Sequence, residues 1–246
     1  GEYTSELLDC LEENNAHATF FMLGQNVENY QDDVKRMLEL GCEIGNHSWD
    51  HANMYELSLD SVVKEFNDAD QALIDACGQA STVVRAPYGN ANEDIMNAVG
   101  KPFFMWSLDS LDWKYKDVDL DYKSIMQDNS SVIKDGTIIL MHDIHEPSVK
   151  AAERIIPELI NMGFKLVTVS EMAEAKNVTL QNASYNNFWQ DILDQGLVPG
   201  YAGNSTSDAD TSDGTEDSSD GSEDGSGSDG SEDYSDGSED GSNSSE

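Results

Sequence analysis

Residues 46–51 read Asn46-His47-Ser48-Trp49-Asp50-His51, directly after the short run Glu43-Ile44-Gly45. Two histidines four residues apart can turn both imidazoles toward one point if the segment coils through a helical turn. Neutral imidazole is a good ligand for zinc and neighbouring metals. An isolated His-x-x-x-His is more often two surface histidines. This pair rises above that reading because it ends an expected strand, and three further polar clusters fall at the same structural place.

Working outward, helix and strand patterns alternate. Thr4–Asn14 places Leu7, Leu8 and Leu11 on one helical face, and residues 16–23 (AHATFFML) read as a strand. A helix is expected over residues 30–40, stopped by Gly41, then a short strand at 43–47. Ser58 caps a longer helix that ends at Gly78. Strands follow at 82–85, 102–108 (PFFMWSL), 137–142 (TIILMH) and 164–169, with helices at 93–99, 119–132, 148–162 and 171–176. Pro157 is expected to kink the helix at 148–162. Repeated βα units imply a parallel sheet or barrel with its helices outside. Six strands are visible. Because the series opens with a helix, a seventh strand is expected ahead of Gly1.

The polar clusters share one rim. His47 and Arg85 end strands, Asp109 and Asp112 follow the PFFMWSL strand, and His142 with Asp143 ends TIILMH. In α/β barrels, catalytic residues gather at the carboxyl ends of strands. His47 and His51 offer two metal ligands, and a third carboxylate or histidine is expected nearby. A bound metal would activate water and polarise a carbonyl. His142 suits a general acid, with Asp112 orienting its imidazole. Arg85 could pin an acidic group or a substrate oxygen. A backbone N–H within Arg85-Ala86-Pro87-Tyr88-Gly89 could donate to a developing oxyanion. Trp113 and Trp49 are candidates for stacking on a sugar ring, with core packing an equal reading for Trp49. Asp109 reads as a turn cap, Asp143 as either a loop residue or polar support, and His17 as structural. His145, three residues after His142, leaves a four-histidine zinc site conceivable but disfavoured, since such sites are compact and usually contain cysteine.

Composition narrows the classes. Of the 246 residues, 49 are acidic and 13 basic, a net charge of −36. Residues 204–246 hold 15 of the acids and none of the bases, which leaves the body at −21. That body argues against nucleic acid or an anionic membrane as partner. No apolar run reaches membrane-spanning length. The Ser/Gly/Asp/Glu stretch is expected to be a disordered, self-repelling linker or tail. Loose Ca²⁺ collection by its carboxylates is a weaker alternative, because the EF-hand order is absent. Cys10, Cys42 and Cys77 form neither a disulfide framework nor a metal motif. The expected organisation is a catalytic domain over 1–178, an extension over 179–203 and the acidic stretch over 204–246. Phe188, Trp189, Ile192 and Leu193 suggest a short helix covering a barrel edge, or the start of a linker.

Five segments carry a resemblance: ATFFMLG (18–24), NHSWDH (46–51), RAPYG (85–89), DSLDW (109–113) and ILMH (139–142). In this order within a βα series, the chain resembles the polysaccharide deacetylases of the NodB-homology type, carbohydrate esterase family four, over roughly residues 1–176. The resemblance implies a distorted (β/α)7 barrel and metal-dependent removal of N- or O-acetyl groups from peptidoglycan, chitooligosaccharide or xylan. It implies zinc, or cobalt or nickel, on His47 and His51. It implies that Arg85 positions the catalytic aspartate, that the Tyr88 backbone forms part of the oxyanion hole, and that Asp112 tunes the general acid His142. Leu140 and Trp113 would line the acetyl pocket. The family's Thr-Phe-Asp-Asp-Gly motif, source of the base and third ligand, would sit on the strand expected ahead of Gly1. Without it, the chain is expected to bind metal weakly and to turn over little substrate. The competing reading is a non-catalytic carbohydrate-binding or scaffold barrel. A polymer substrate implies an extracellular or cell-surface location.

Overall fold

The computed structural model describes residues 1–202. The expectation for residues 204–246 lies outside them. Among the described residues the helices are α1 (Thr4–Glu13), α2 (Gly24–Val27), α3 (Gln31–Glu39), α4 (Leu59–Cys77), α5 (Glu93–Val99), α6 (Asp112–Tyr115), α7 (Val118–Lys123), α8 (Glu146–Asn161), α9 (Val169–Ala175) and α10 (Gln190–Asp194). The strands are β1 (Thr19–Met22), β2 (Glu43–Asn46), β3 (Phe103–Phe104), β4 (Leu108–Asp109), β5 (Ile139–Leu140) and β6 (Ser184–Tyr185). Helices and parallel strands alternate, and no helix is long and apolar enough to cross a membrane.

The ladders run in parallel pairs. β1 pairs with β2 from Thr19↔Glu43 to Met22↔Asn46. Single bridges carry the series on from Asn46 to Val84 and from Val84 to Phe103. β3 pairs with β6, and β4 with β5. The strand expected over 102–108 is thus two short strands. Ser107 divides them: its N–H bonds the Ile138 carbonyl and its hydroxyl accepts the Ile138 N–H at 3.1 Å.

Local chemistry explains several boundaries. Ser58 accepts the Ser61 N–H and starts α4, whose buried stripe is Val62, Phe66, Ala69, Leu73 and Ala76. Gly78 ends it in the left-handed region, at φ 85°. Gly24 opens α2 hard against α4, where an added Cβ would stand 2.5 Å from the Ala69 backbone. α8 contains Pro157 and runs unbroken to Asn161. The helix expected over 119–132 is only α7, continued by a π turn at Ser124–Asp128 and a 3-10 turn at Ser130–Val132. Phe188 and Leu193 are buried, and Tyr185 stacks between Phe104 and Phe188 with centroids 5.2 and 5.8 Å away.

Residues 164–168 form no strand, contrary to expectation. Their ladder bond is the Leu166 carbonyl accepting the His17 N–H at 3.1 Å. Residues 165–168 line a cavity of about 460 Å³ shared with Phe21 of β1, Ile139 of β5, His47 and His142. β1 bonds to β2 through the carbonyls of Ala18 and Met22. In a parallel ladder the intervening peptide groups of Thr19 and Phe21 face the other edge. Residues 164–168 therefore have extended-strand chemistry without a strand neighbour along the cavity.

Candidate active site

The loop after β2 brings His47 and His51 together, but not through a helical turn. Ser48 and His51 both take left-handed backbone conformations, each with φ 71°. Polar anchors hold these bends. The Asn46 carbonyl oxygen Oδ1 accepts the Ser48 N–H at 2.9 Å, and Ser48 Oγ accepts the His51 N–H at 3.1 Å. Asn46 is itself fully buried and donates to the Phe66 carbonyl at 2.7 Å and to Asp70 at 2.9 Å. Asp70 is held in turn by Ser81 and Lys101. Glu65 accepts the N–H groups of Trp49 and Asp50. Sequence reading singled out neither Asn46, Asp70 nor Glu65. Only the Asn directly preceding His47 could have hinted at a side-chain turn.

The two rings meet edge to face at 4.9 Å, and His51 meets the Tyr88 ring at 4.6 Å. His47 Nδ1 donates to the Arg85 carbonyl at 2.7 Å, which leaves Nε2 with its lone pair. Burial pushes His47 down to about 3, against a raising carbonyl bond, and burial followed by the His142 charge pushes His51 down. Both imidazoles are therefore neutral near pH 7, the form that ligates metal. In kind they fit a divalent metal. In number they do not complete one: among the described residues no group of three or more His, Cys, Asp or Glu is placed to hold an ion.

Arg85 is buried. Its Nε donates to the Phe104 carbonyl at 2.8 Å and its guanidinium to the Met105 carbonyl at 3.1 Å. It lies over the Phe21 ring at 4.2 Å. Burial lowers it to about 10, so it stays cationic at neutral pH. Among the described residues it has no carboxylate partner. Tyr88 is exposed and left-handed at φ 59°, in the 3-10 turn Pro87–Gly89.

Asp112 and His142 form a couple. Asp112 Oδ1 accepts the His142 Nδ1 proton at 2.7 Å, and Oδ2 accepts the His142 backbone N–H at 2.6 Å. Asp112 is fully buried while the His142 side chain is 31% exposed. Burial pushes the Asp112 carboxyl up, but the bonds and charge of His142, with Ser110, outweigh it and hold it below its usual range. Donation from Nδ1 leaves Nε2 as the atom free to exchange a proton. The Trp113 N–H donates to Asp112 at 2.8 Å and its ring is half exposed, whereas Leu140 is buried beside the cavity.

The remaining candidates separate. Asp109 accepts the Leu111 N–H at 2.8 Å and caps its turn. Asp143 accepts the Thr4 hydroxyl. His17 pairs with Glu171 at 2.9 Å. Trp49 is 36% exposed and packs beside Gly24. His145 is the residue before α8.

The family model for polysaccharide deacetylases matches residues 1–102. The chain is 38% identical over 173 residues to the peptidoglycan-N-acetylmuramic acid deacetylase PdaC of Bacillus subtilis, covering 70% of this chain and 36% of that one. It thus spans about a third of the length of such curated relatives. The solved structure of Bacillus subtilis PdaC matches with a TM-score of 0.68 and 36% identity, covering 71% of this chain and 85% of that one. A family 4 acetyl xylan esterase from Clostridium thermocellum, solved with a cobalt ion, matches with a TM-score of 0.69 and 30% identity, covering 75% and 92%. The α/β fold is of the deacetylase type, and the chain belongs to the polysaccharide deacetylase family.

Proposed function

We propose that this chain is the body of a metal-dependent hydrolase that removes acetyl groups from a polysaccharide. The observation that carries the reading is the couple of buried Asp112 with partly exposed His142, whose Nε2 is free, beside the same cavity as two neutral imidazoles. His47 and His51 would hold zinc, cobalt or nickel, which supplies Lewis acidity toward an acetyl carbonyl and its attacking water. His142 Nε2 would protonate the departing amine or alkoxide, with Asp112 fixing the tautomer and stabilising the imidazolium. The strained Tyr88 turn would offer its N–H to the oxyanion. Leu140 would contact the acetyl methyl, and the half-exposed Trp113 a sugar face.

The cavity completes the reading. Its free strand edges at β1 and 164–168 suit one more parallel strand, which would close a (β/α)7 barrel. An Asp-Asp pair on that strand would bring a base beside Arg85, whose guanidinium has no acid, and a third metal ligand beside His47. The relatives are named for peptidoglycan and xylan, so acetylated cell-wall or plant polymers are the proposed substrates, and an extracellular or cell-surface location follows from them.

The test measures acetate release from peptidoglycan, acetylated chitooligosaccharide and acetylated xylan, with Zn²⁺ or Co²⁺. The chain is assayed beside a version carrying Thr-Phe-Asp-Asp-Gly-Pro before Gly1. Acetate from the extended version, lost in His47→Ala, supports the hydrolase. Sugar binding by both folded proteins with no acetate from either supports the binding barrel.

A further inference from the structure

The bends of the histidine loop trace back to one largely buried ion pair. Asp70 on α4 and Lys101, just ahead of β3, pair through side chains that are 14% and 22% exposed. An ion pair this far from solvent adds little net stability, because desolvation offsets most of the attraction. What it sets is direction. Lys101 takes Asp70 Oδ2. Oδ1 is thereby turned to three donors: the Ser81 hydroxyl at 2.7 Å, Asn46 Nδ2 at 2.9 Å and the Ser81 N–H at 3.3 Å. Lys101 also donates to the Ser81 hydroxyl oxygen at 3.1 Å, which closes the network.

The side-chain amide of Asn46 is nearly symmetric in shape but not in chemistry, since one end accepts and the other donates. On one side of it stand the Asp70 carboxylate and the Phe66 carbonyl, neither of which donates. Nδ2 must face them, so Oδ1 faces the Ser48 N–H, 2.9 Å away. With the amide reversed, Nδ2 would meet the Ser48 N–H donor to donor, and Oδ1 would meet two acceptors. The left-handed bend at Ser48, φ 71°, uses that Oδ1 as its anchor, and the Ser48 hydroxyl in turn accepts the His51 N–H at 3.1 Å. A non-glycine residue keeps such a backbone only where its surroundings fix it. The bonds therefore run without a gap from Lys101 through Asp70, Asn46 and Ser48 to His51.

We propose that Lys101 and Asp70 are positioning residues for the His47–His51 pair: their ion pair sets the direction of the Asn46 amide and, through it, the bend that brings the two imidazoles together. They act through Asn46 and Ser48, not on the imidazoles themselves. The inference deepens the deacetylase reading, and rests on it only for what the two histidines are used for.

The experiment measures amide hydrogen exchange by NMR in the metal-free full chain, and Co²⁺ binding by calorimetric titration. Asp70→Leu, Lys101→Met and Lys101→Arg are compared with Asp75→Leu, which removes an exposed carboxylate from the same helix. In Asp70→Leu the Ser48 and His51 amides are expected to exchange about tenfold faster or more, while the Phe104 amide, bonded to the Val84 carbonyl, keeps its rate. Co²⁺ affinity is expected to fall about tenfold in the same protein. Lys101→Met should move both readouts the same way, Lys101→Arg should restore them, and Asp75→Leu should leave them alone. Folded Asp70→Leu and Lys101→Met proteins whose Ser48 and His51 amides keep native protection, or lose it only in step with Phe104, would overturn the proposal and leave the pair a structural tie between α4 and β3. The exchange readout needs neither metal nor turnover, so a chain that releases no acetate leaves this test intact.

Discussion

Replacing Asp121 by isoleucine is expected to stabilise the protein in a manner that depends on pH. The carboxyl rises from an ordinary 3.8 to about 6 in the fold, chiefly through burial and then through Asp112. A raised carboxyl favours the protonated form in the folded state. Below pH 3.8 the group is neutral folded and unfolded, and it costs nothing electrostatically. As pH rises from 3.8 through about 6, the unfolded chain releases the proton first and the folded state loses stability. Above pH 6 the accumulated penalty is about 3 kcal/mol. Isoleucine has no proton to lose, so its advantage over the native residue should grow by most of that amount, about 2.5 kcal/mol, between pH 4 and pH 7.5. The added bulk contributes a constant offset and does not alter the slope. Urea unfolding of both proteins across this range, with equal m-values, reads the difference directly. A gap that stays constant from pH 4 to pH 7.5 would refute the reasoning, since it would mean that Asp121 is solvated or paired in the native state.

Further outcomes follow from the site. Asp112→Asn should leave the fold near its native form but disfavour the Nδ1–H tautomer of His142, lowering acetate release by the extended version roughly 10²- to 10⁴-fold; kinetics beside circular dichroism check this. Asn46→Ala removes the acceptor of the Ser48 N–H and the donor to Phe66 and Asp70. It should weaken Co²⁺ binding by roughly 10- to 100-fold without touching the metal, as calorimetric titration would show. Equal Co²⁺ affinity in a folded Asn46→Ala protein would mean that the histidine loop holds itself.

Contiguous chemistry was legible in the sequence. His47 with His51, and Asp112 with His142, stand at strand ends because the βα alternation puts them there, and the structure places each pair together. The route between the two histidines was not legible. Their convergence uses left-handed Ser48 and His51, held by Asn46, Asp70 and Glu65, which are separated in sequence and share no motif. The run 102–108 reads as one strand by hydropathy, yet the Ser107 hydroxyl substitutes for a ladder bond and splits it. Residues 164–169 have strand composition but lack the neighbour that a ladder requires. Asp121 was invisible for the opposite reason: a single aspartate among Asp117, Asp119 and Asp121 looks solvated until burial shows it facing the core.

The most direct test of the account separates catalysis from binding in one protein. Acetate release and polymer affinity are measured together for the extended version and its His142→Ala variant, with Co²⁺ present. The account predicts that release falls at least about 100-fold while affinity for the polymer changes little, because His142 Nε2 moves a proton and does not hold the sugar. Undiminished acetate release in His142→Ala, or a loss that merely tracks weaker polymer binding, would contradict it.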